Sequence, residues 1–460
     1  MSLELRNRLF NELNSLTLID PHTHINPHAP ASTTLADILG YHYYTELAHS
    51  AGMPKSEIEQ QDLDPRELVG RLFENLEPLA NTIQYSWFVE IAQAFFGLEG
   101  DELKSGDWST LYETALAKMA ADDWADQVLA QSKLEAVFLT NSFDDDLEGF
   151  DSDVYIPCLR TDDLVFQLGE ESVRERLANT TGIEVHDVAT LDEAIGKLFE
   201  KFISRGVRAC AISLPPDFSP KKITPGRANT AIDEVCTKGA GANVQQHRAA
   251  AQFIFWKIAE YCKECRLPFD LMIGVNRNVY TDGVHQGRDL YDSRVSLIQY
   301  RELFNAFPEV KFPISVLASV TNQELASYAW IFPNVLTNGH WWYSNTPTFI
   351  EHDASARLEA VPATKQIGYY SDMYKLEFAL PKFNMYKRIL AKILSERYVI
   401  DRNWTEERAL ALGRQVLRGN VDATFPDRKP PKIDSAIYND PALSDKSSQQ
   451  EPEAGGSSIF

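Results

Sequence analysis

The sequence is short of cysteine, short of cations and free of long apolar runs. Its 460 residues hold five cysteines, an odd and sparse set. That excludes a disulfide-built secreted scaffold and points to a reducing, cytoplasmic setting. Cys262 and Cys265 form a lone Cys-x-x-Cys at the end of an apolar helical stretch. With no second pair, packing thiols are expected there rather than a zinc site. No apolar run reaches the ~18 residues of a membrane span. Residues 1–6 lack the basic-then-apolar opening of a signal peptide, so none is expected. Lys and Arg number 44 against 66 Asp and Glu, a net charge of −22. Such a surface repels phosphate backbones and anionic lipid, so neither nucleic acid nor membrane is an expected partner. An anionic small molecule would need local cationic help, which makes any arginine at a strand end informative. No Gly-x-Gly-x-x-Gly follows the first apolar run, which argues against a dinucleotide-binding open sheet.

What is present is core material, at 44% hydrophobic residues, and a periodic alternation. Strand-length apolar runs fall at 16–19, 136–140, 154–159, 207–213, 269–275, 312–317, 335–338 and 366–370. Helical stretches at 191–205, 247–264, 293–306, 322–331 and 348–359 lie between most of them, with two more at 383–397 and 405–418. Several runs are apolar throughout, as parallel strands buried on both faces require. Eight such units predict an α/β fold of the (β/α)8 TIM-barrel type. The segment 33–132 reads only as helices, at 35–39, 66–76, 82–96, 109–118 and 122–132, and is expected to be an insertion after strand 1. The barrel with its insertion is expected to span 1–428. The Pro-, Ser-, Asp- and Gly-rich stretch 429–460 is expected to be an extended or disordered tail.

In such a barrel the chemistry gathers where strands run into the following loops. Strand 1 runs into Asp20-Pro21-His22-Thr23-His24. Side chains alternate along an extended chain, so His22 and His24 can face the same way. Strand 8 runs into Ser371 and Asp372, and the first and last strands are neighbours when a barrel closes. Two imidazoles and one carboxylate make a three-ligand divalent metal site with a position left open. Zinc is the first choice, with manganese or iron as alternatives. Strand 3 runs into Arg160, whose planar fork suits a carboxylate. Strand 7 runs into His340, Trp341 and Trp342, candidates for the pocket wall. The charged loop 282–294 is expected to be either a lid or a plain solvated loop.

These motifs, in this order, resemble the uronate (glucuronate) isomerase family of the amidohydrolase superfamily. The resemblance covers the chain from the Asp20–His24 stretch to about Phe425. The family's His-Tyr pair after strand 1 is matched by His42-Tyr43, and its Phe-Arg-Pro-Asp motif by Leu159-Arg160-Thr161-Asp162. Its Gly-x-Trp-Trp-Phe is matched by Gly339-His340-Trp341-Trp342-Tyr343, and its Thr-Asp-Ser-Arg by Ser371-Asp372-Met373-Tyr374. The His-Ile-Gly…Arg-Asn motif is matched in part by Met272-Ile273-Gly274-Val275-Asn276-Arg277-Asn278. Three positions depart: Ser213-Leu214-Pro215 replaces Asp-His-Gly, Met272 replaces the histidine, and Tyr374 replaces the arginine. The resemblance implies aldose–ketose isomerisation of a hexuronic acid, glucuronate to fructuronate in type, at a mononuclear metal site. It implies Asp372, Tyr43 and His42 as proton-handling residues, and Arg160, Trp341, Trp342 and His340 around a small acidic sugar. A homo-oligomer stays open. A metal-dependent hydrolase or decarboxylase of the same superfamily, acting on another small acid, is the alternative.

Overall fold

Among the described residues nine short parallel strands carry the architecture. The computed structural model describes residues 2–426 apart from 104, 105 and 107; the tail expected at 429–460 lies outside the described residues. A three-stranded ladder joins β1 (Leu18–Asp20), β2 (Leu134–Phe138) and β3 (Tyr155–Ile156). A six-stranded ladder runs from β4 (Cys158–Arg160) through β5 (Ala209–Leu214) and β6 (Phe269–Ile273). A small antiparallel pair, β7 (Val275–Asn276) with β8 (Leu290–Tyr291), stands apart. The long ladder continues through β9 (Phe312–Val316), β10 (Val335–Asn338) and β11 (Gln366–Ile367).

Each of the eight expected strand segments holds a strand, and the third holds two. Pro157 lacks an amide hydrogen and splits that segment into β3 and β4. The connection survives because Asn141 bonds on both sides, its N–H to the Cys158 carbonyl (2.9 Å) and its carbonyl to the Arg160 N–H (2.9 Å). The ladder therefore runs from β1 round to β11 in chain order.

The expected closed eight-stranded barrel is not found: no ladder joins β11 to β1. Only two residues of β11 pair, because the Gly368 N–H turns away to the Val416 carbonyl (3.0 Å). The two ends nevertheless meet around one core. Ile19, Phe138, Ile156, Ala211 and Ile367 share a small cluster, plugged from one end by Val421 and Phe425. The architecture is a mixed α/β, incomplete barrel type.

Between β1 and β2 the chain makes only helices, from Leu35–Leu39 to Trp124–Ser132. Local chemistry sets their ends. Asp64 caps the helix Pro65–Glu74 through the Arg66 N–H, with proline in the first turn. Gly97, in the left-handed region, ends Ile83–Phe96. The helix His42–Ser50, not expected from the sequence, follows Tyr41. Helices Glu171–Thr181 and Pro225–Lys238 were likewise not expected. Among the described residues no helix is long and apolar enough to cross a membrane. All five cysteines are free thiols, and Cys262 is buried.

Candidate active site

The seam between the first and last strands is also where the polar residues gather. Asp20 ends β1, and its Oδ1 accepts from the Ser371 N–H (3.1 Å) and the His22 N–H (3.4 Å). The Asp372 N–H bonds to the His22 carbonyl (3.2 Å), and the His24 N–H to the Met373 carbonyl (2.8 Å). On the other side the Thr23 N–H and hydroxyl both bond to the Phe138 carbonyl, at 3.0 and 2.7 Å. The His-x-His backbone is thus pinned to β2 on one side and to the 371–373 turn on the other. Asp372 itself sits at φ +56°, a left-handed conformation that costs an ordinary residue on the order of 1 kcal/mol. Two bonds from outside hold that turn: the Tyr41 hydroxyl donates to the Asp372 carbonyl (3.0 Å), and Lys382 Nζ to the Ser371 carbonyl (2.8 Å).

His22, His24 and Asp372 bring ligand atoms within 4.8 Å of one another. Asp372 Oδ1 lies 3.4 Å from His22 Nε2 and 3.2 Å from His24 Nε2. The proton inventory decides what these contacts are. The Thr140 hydroxyl has one hydrogen, which goes to the Thr23 carbonyl (3.0 Å). It therefore accepts from His24 Nδ1 at 2.8 Å, which fixes the proton there and leaves Nε2 a lone pair. Burial lowers the His24 imidazole to about 4, so the ring is neutral. A lone pair then faces a carboxylate oxygen at 3.2 Å. Among the described residues His22 Nε2 and Asp372 Oδ1 have no hydrogen-bond partner either, although both are buried. Buried orphans of this kind call for a missing partner, and a cation satisfies all three atoms at once. The donor set, two imidazoles and one carboxylate, fits a divalent metal with an open coordination position.

Behind the ligands stands a supporting layer. Asp270, from inside β6, brings Oδ2 to 3.8 Å of His22 Nδ1, and Asn338 donates to its Oδ1 at 3.1 Å. Burial pushes Asp20 and Asp270 each up to about 6. Lys382 is fully buried and burial lowers it to about 8.

The three residues open into one cleft at the mouth of the strands. Arg160, Trp341, Trp342 and His42 line it, along with Arg277 and Tyr374. The Arg160 fork is engaged by Asp162, at 3.0 and 3.2 Å. Arg277 bonds Asp289 through Nη1 (2.6 Å) and the Ser213 hydroxyl through Nη2 (3.2 Å). His42 Nδ1 is 2.6 Å from Glu46 Oε1, one helical turn on. The Tyr374 ring stacks on His24, with centroids 4.6 Å apart. The loop between β7 and β8 contributes Gln286 and Asp289 to the cleft and leans on the inserted helices, where Lys55 Nζ donates to the Gly283 carbonyl (2.8 Å).

Two expected site residues are elsewhere. His340 is buried and lines a separate small cavity with Arg357 and Tyr386. Gly339 turns the chain at φ +46°, and beyond that turn His340 faces the small cavity while Trp341 and Trp342 line the cleft. Tyr43 is buried behind His42, against Trp342 and Trp87, and does not line the cleft. Sequence reasoning missed Thr140, Asp270, Glu46, Arg277 and Lys382. Arg277 and Thr140 stood at expected strand ends, and Asp270 was the one charge in an apolar run. Nothing in the sequence marked Lys382 or Glu46.

No family model matches the sequence, and no curated protein does. Solved structures do. A uronate isomerase from Thermotoga maritima superposes with a TM-score of 0.84 at 19% identity, covering 92% of this chain and 97% of that one. A glucuronate isomerase from Caulobacter crescentus gives 0.85 at 17% identity over 94% and 95%. A uronate isomerase from Bacillus halodurans gives 0.78 at 22% identity over 93% and 97%. At these identities the likeness is one of fold: nearly the whole chain is built as those isomerases are built.

Proposed function

We propose that this protein is a metal-assisted isomerase of the uronate isomerase kind, converting a hexuronic acid between aldose and ketose as in glucuronate to fructuronate. The fold likeness supports it. So does the one observation that carries it: His22, His24 and Asp372 converge, with His22 Nε2 and Asp372 Oδ1 buried and unpartnered and His24 Nε2 turned to the same carboxylate, in a cleft lined by Arg160 and Arg277. His22, His24 and Asp372 would hold the ion, with zinc first and manganese or iron as alternatives. When bound, it would supply Lewis acidity toward a carbonyl or hydroxyl oxygen of the open-chain sugar.

The rest is the work of side chains. The isomerisation removes a proton from C2 and returns one to C1, while the hydroxyl proton passes from O2 to O1. Asp372 and His42 are the proton-handling groups of this reading. Glu46 on Nδ1 orients the His42 ring and fixes which nitrogen meets the substrate. Tyr43, kept protonated by burial, backs His42 rather than meeting the sugar. Arg160 and Arg277 grip the carboxylate, each already aligned by an aspartate. Trp341 and Trp342 wall the cleft and exclude water.

A second reading is a metal-dependent hydrolase or decarboxylase of the amidohydrolase superfamily. Met272 and Tyr374 on the cleft wall favour it, since a thioether and a phenol replace an imidazole and a guanidinium of the family pattern. The experiment is incubation of zinc- or manganese-loaded protein with glucuronate and galacturonate, followed by assay of the ketose product. Ketose formation that chelation abolishes and metal restores is expected. Hydrolysis or decarboxylation of other small acids, with no isomerisation of any hexuronate, would replace the first reading by the second.

A further inference from the structure

Lys382 is costly where it stands. Its side chain is fully buried, in the first turn of the helix Ala379–Ile393. Burial penalises an ammonium, and the positive end of the helix dipole penalises it again. It has three N–H donors, and among the described residues one protein oxygen takes one of them, the Ser371 carbonyl at 2.8 Å. The other directions face aromatic rings. Trp87, Tyr43, Tyr41 and Phe378 stand 4.9, 5.1, 5.4 and 5.8 Å from Nζ, measured to their centroids. A methionine would fill the same apolar cage without these penalties, so packing does not account for a lysine.

We infer that Lys382 is a positioning residue of the metal centre: it locks the Ser371–Asp372 turn from behind so that the carboxylate meets His22 and His24. This rests on the metal-centre reading above and goes beyond it. Three observations converge. Asp372 is held in a left-handed conformation, which must be imposed from outside. Lys382 bonds the carbonyl immediately before it, and Tyr41, a wall of the same cage, bonds the carbonyl of Asp372 itself. The ammonium also draws on the charge of Asp372 and Asp20, the two buried carboxylates of the seam. The aromatic cage holds the cation in place by its ring faces, so the hydrogen bond has a rigid root. Supporting residues of this kind change metal affinity by about 10–100-fold.

The test uses the full chain, stripped by chelation and titrated with cobalt(II) or zinc(II). Lys382→Met is expected to bind metal about tenfold or more weakly and to shift the visible spectrum of the cobalt form. The melting temperature of the stripped protein should equal or exceed that of the parent, because a buried charge has been replaced by a fitting apolar chain. Phe378→Leu removes the farthest of the four rings, at 5.8 Å, and leaves the three nearer rings and the bond to Ser371 in place. It should lower the melting temperature and leave affinity unchanged. Parental affinity and spectrum in Lys382→Met would overturn the inference, as would an equal loss of affinity in Phe378→Leu. Should Lys382→Met fail to fold, Lys382→Gln carries the same tenfold criterion. A parent chain that takes up no metal overturns both this inference and the metal centre, whereas equal affinities sink this inference alone.

Discussion

Thr140→Val is the sharpest probe of the metal centre, because it changes two bonds and almost no volume. The threonine hydroxyl donates to the Thr23 carbonyl at 3.0 Å and accepts from His24 Nδ1 at 2.8 Å. Valine keeps the branched shape and removes both. The stability cost is that of two half-buried hydrogen bonds, about 1–2 kcal/mol. The cost to metal binding is separate, because His24 loses the partner that fixes its tautomer and ring plane. Loss of such an orienting bond weakens metal affinity by about 10–100-fold, equivalent to ~1.4–2.8 kcal/mol. The affinity effect should appear in the binding of metal to the folded protein, apart from any change in its stability. Competition of zinc against a chelator of known affinity measures the first, and urea unfolding of the stripped protein the second. Thr140→Ser restores the hydroxyl and should restore affinity. Parental zinc affinity in the valine variant, or equal losses in valine and serine, would refute the assignment of the Nδ1 proton and the lone pair it implies on Nε2.

Three further outcomes are expected. Arg277→Lys keeps the charge and loses the fork, so KM for a hexuronate should rise about tenfold with kcat little changed; an unchanged KM in steady-state assays would remove Arg277 from carboxylate binding. Gly339→Ala puts a Cβ into the Tyr370 ring at φ +46°, and should lower unfolding free energy by ~2 kcal/mol or more in denaturant titrations. Lys387, buried and bonded to Asn14 Oδ1 at 3.1 Å, is lowered by burial from 10.5 to about 8. Between those values the unfolded chain binds more protons than the folded one, so this group's contribution rises with pH. Lys387→Met should accordingly be more stable than the parent at pH 7, by ~2 kcal/mol after the lost hydrogen bond is deducted. That advantage should shrink between pH 8 and 10.5, and a constant difference across the window would contradict the assignment.

The strands were legible because parallel strands buried on both faces leave uninterrupted apolar runs, and each of the eight runs holds at least one strand. The helices 171–181 and 225–238 were not: Glu171–Thr181 buries only Val173 and Leu177, too little apolar repetition to stand out from a loop. Closure was misjudged for a different reason. Periodicity reports which residues are extended, not which pair, and β11 leaves its ladder after two residues through a bond from Gly368 to a helix fifty residues on. The His22, His24 and Asp372 cluster was legible because His-x-His after one strand and an aspartate after another are local patterns. His340 was misplaced because a motif gives the address of a loop and not the direction of each side chain within it. One residue of turn at Gly339 decides between cleft and core.

The residues that stayed hidden share a property. Asp270 lies inside the apolar run of β6, and Lys382 inside a helix whose neighbours Ala379, Pro381, Phe383 and Met385 are buried. Each is a charge in a segment that reads as core, and periodicity treats such a charge as an interruption of the pattern. Physically it is the reverse. An ionisable group in the interior is disfavoured by several kcal/mol unless something compensates it, so a chain that keeps one there has built a partner for it. Asp270 has Asn338 and His22, and Lys382 has the Ser371 carbonyl and four rings. Both partnerships end on a residue of the His22, His24 and Asp372 cluster or its neighbour. The charges that break an apolar run are therefore better pointers to the reacting centre than the polar residues of the loops, of which every surface has many. By that criterion Arg357, buried and donating to the Gly339 carbonyl (2.5 Å) and Asn322 Oδ1 (2.7 Å), belongs with them: it fixes the turn that sends Trp341 to the cleft.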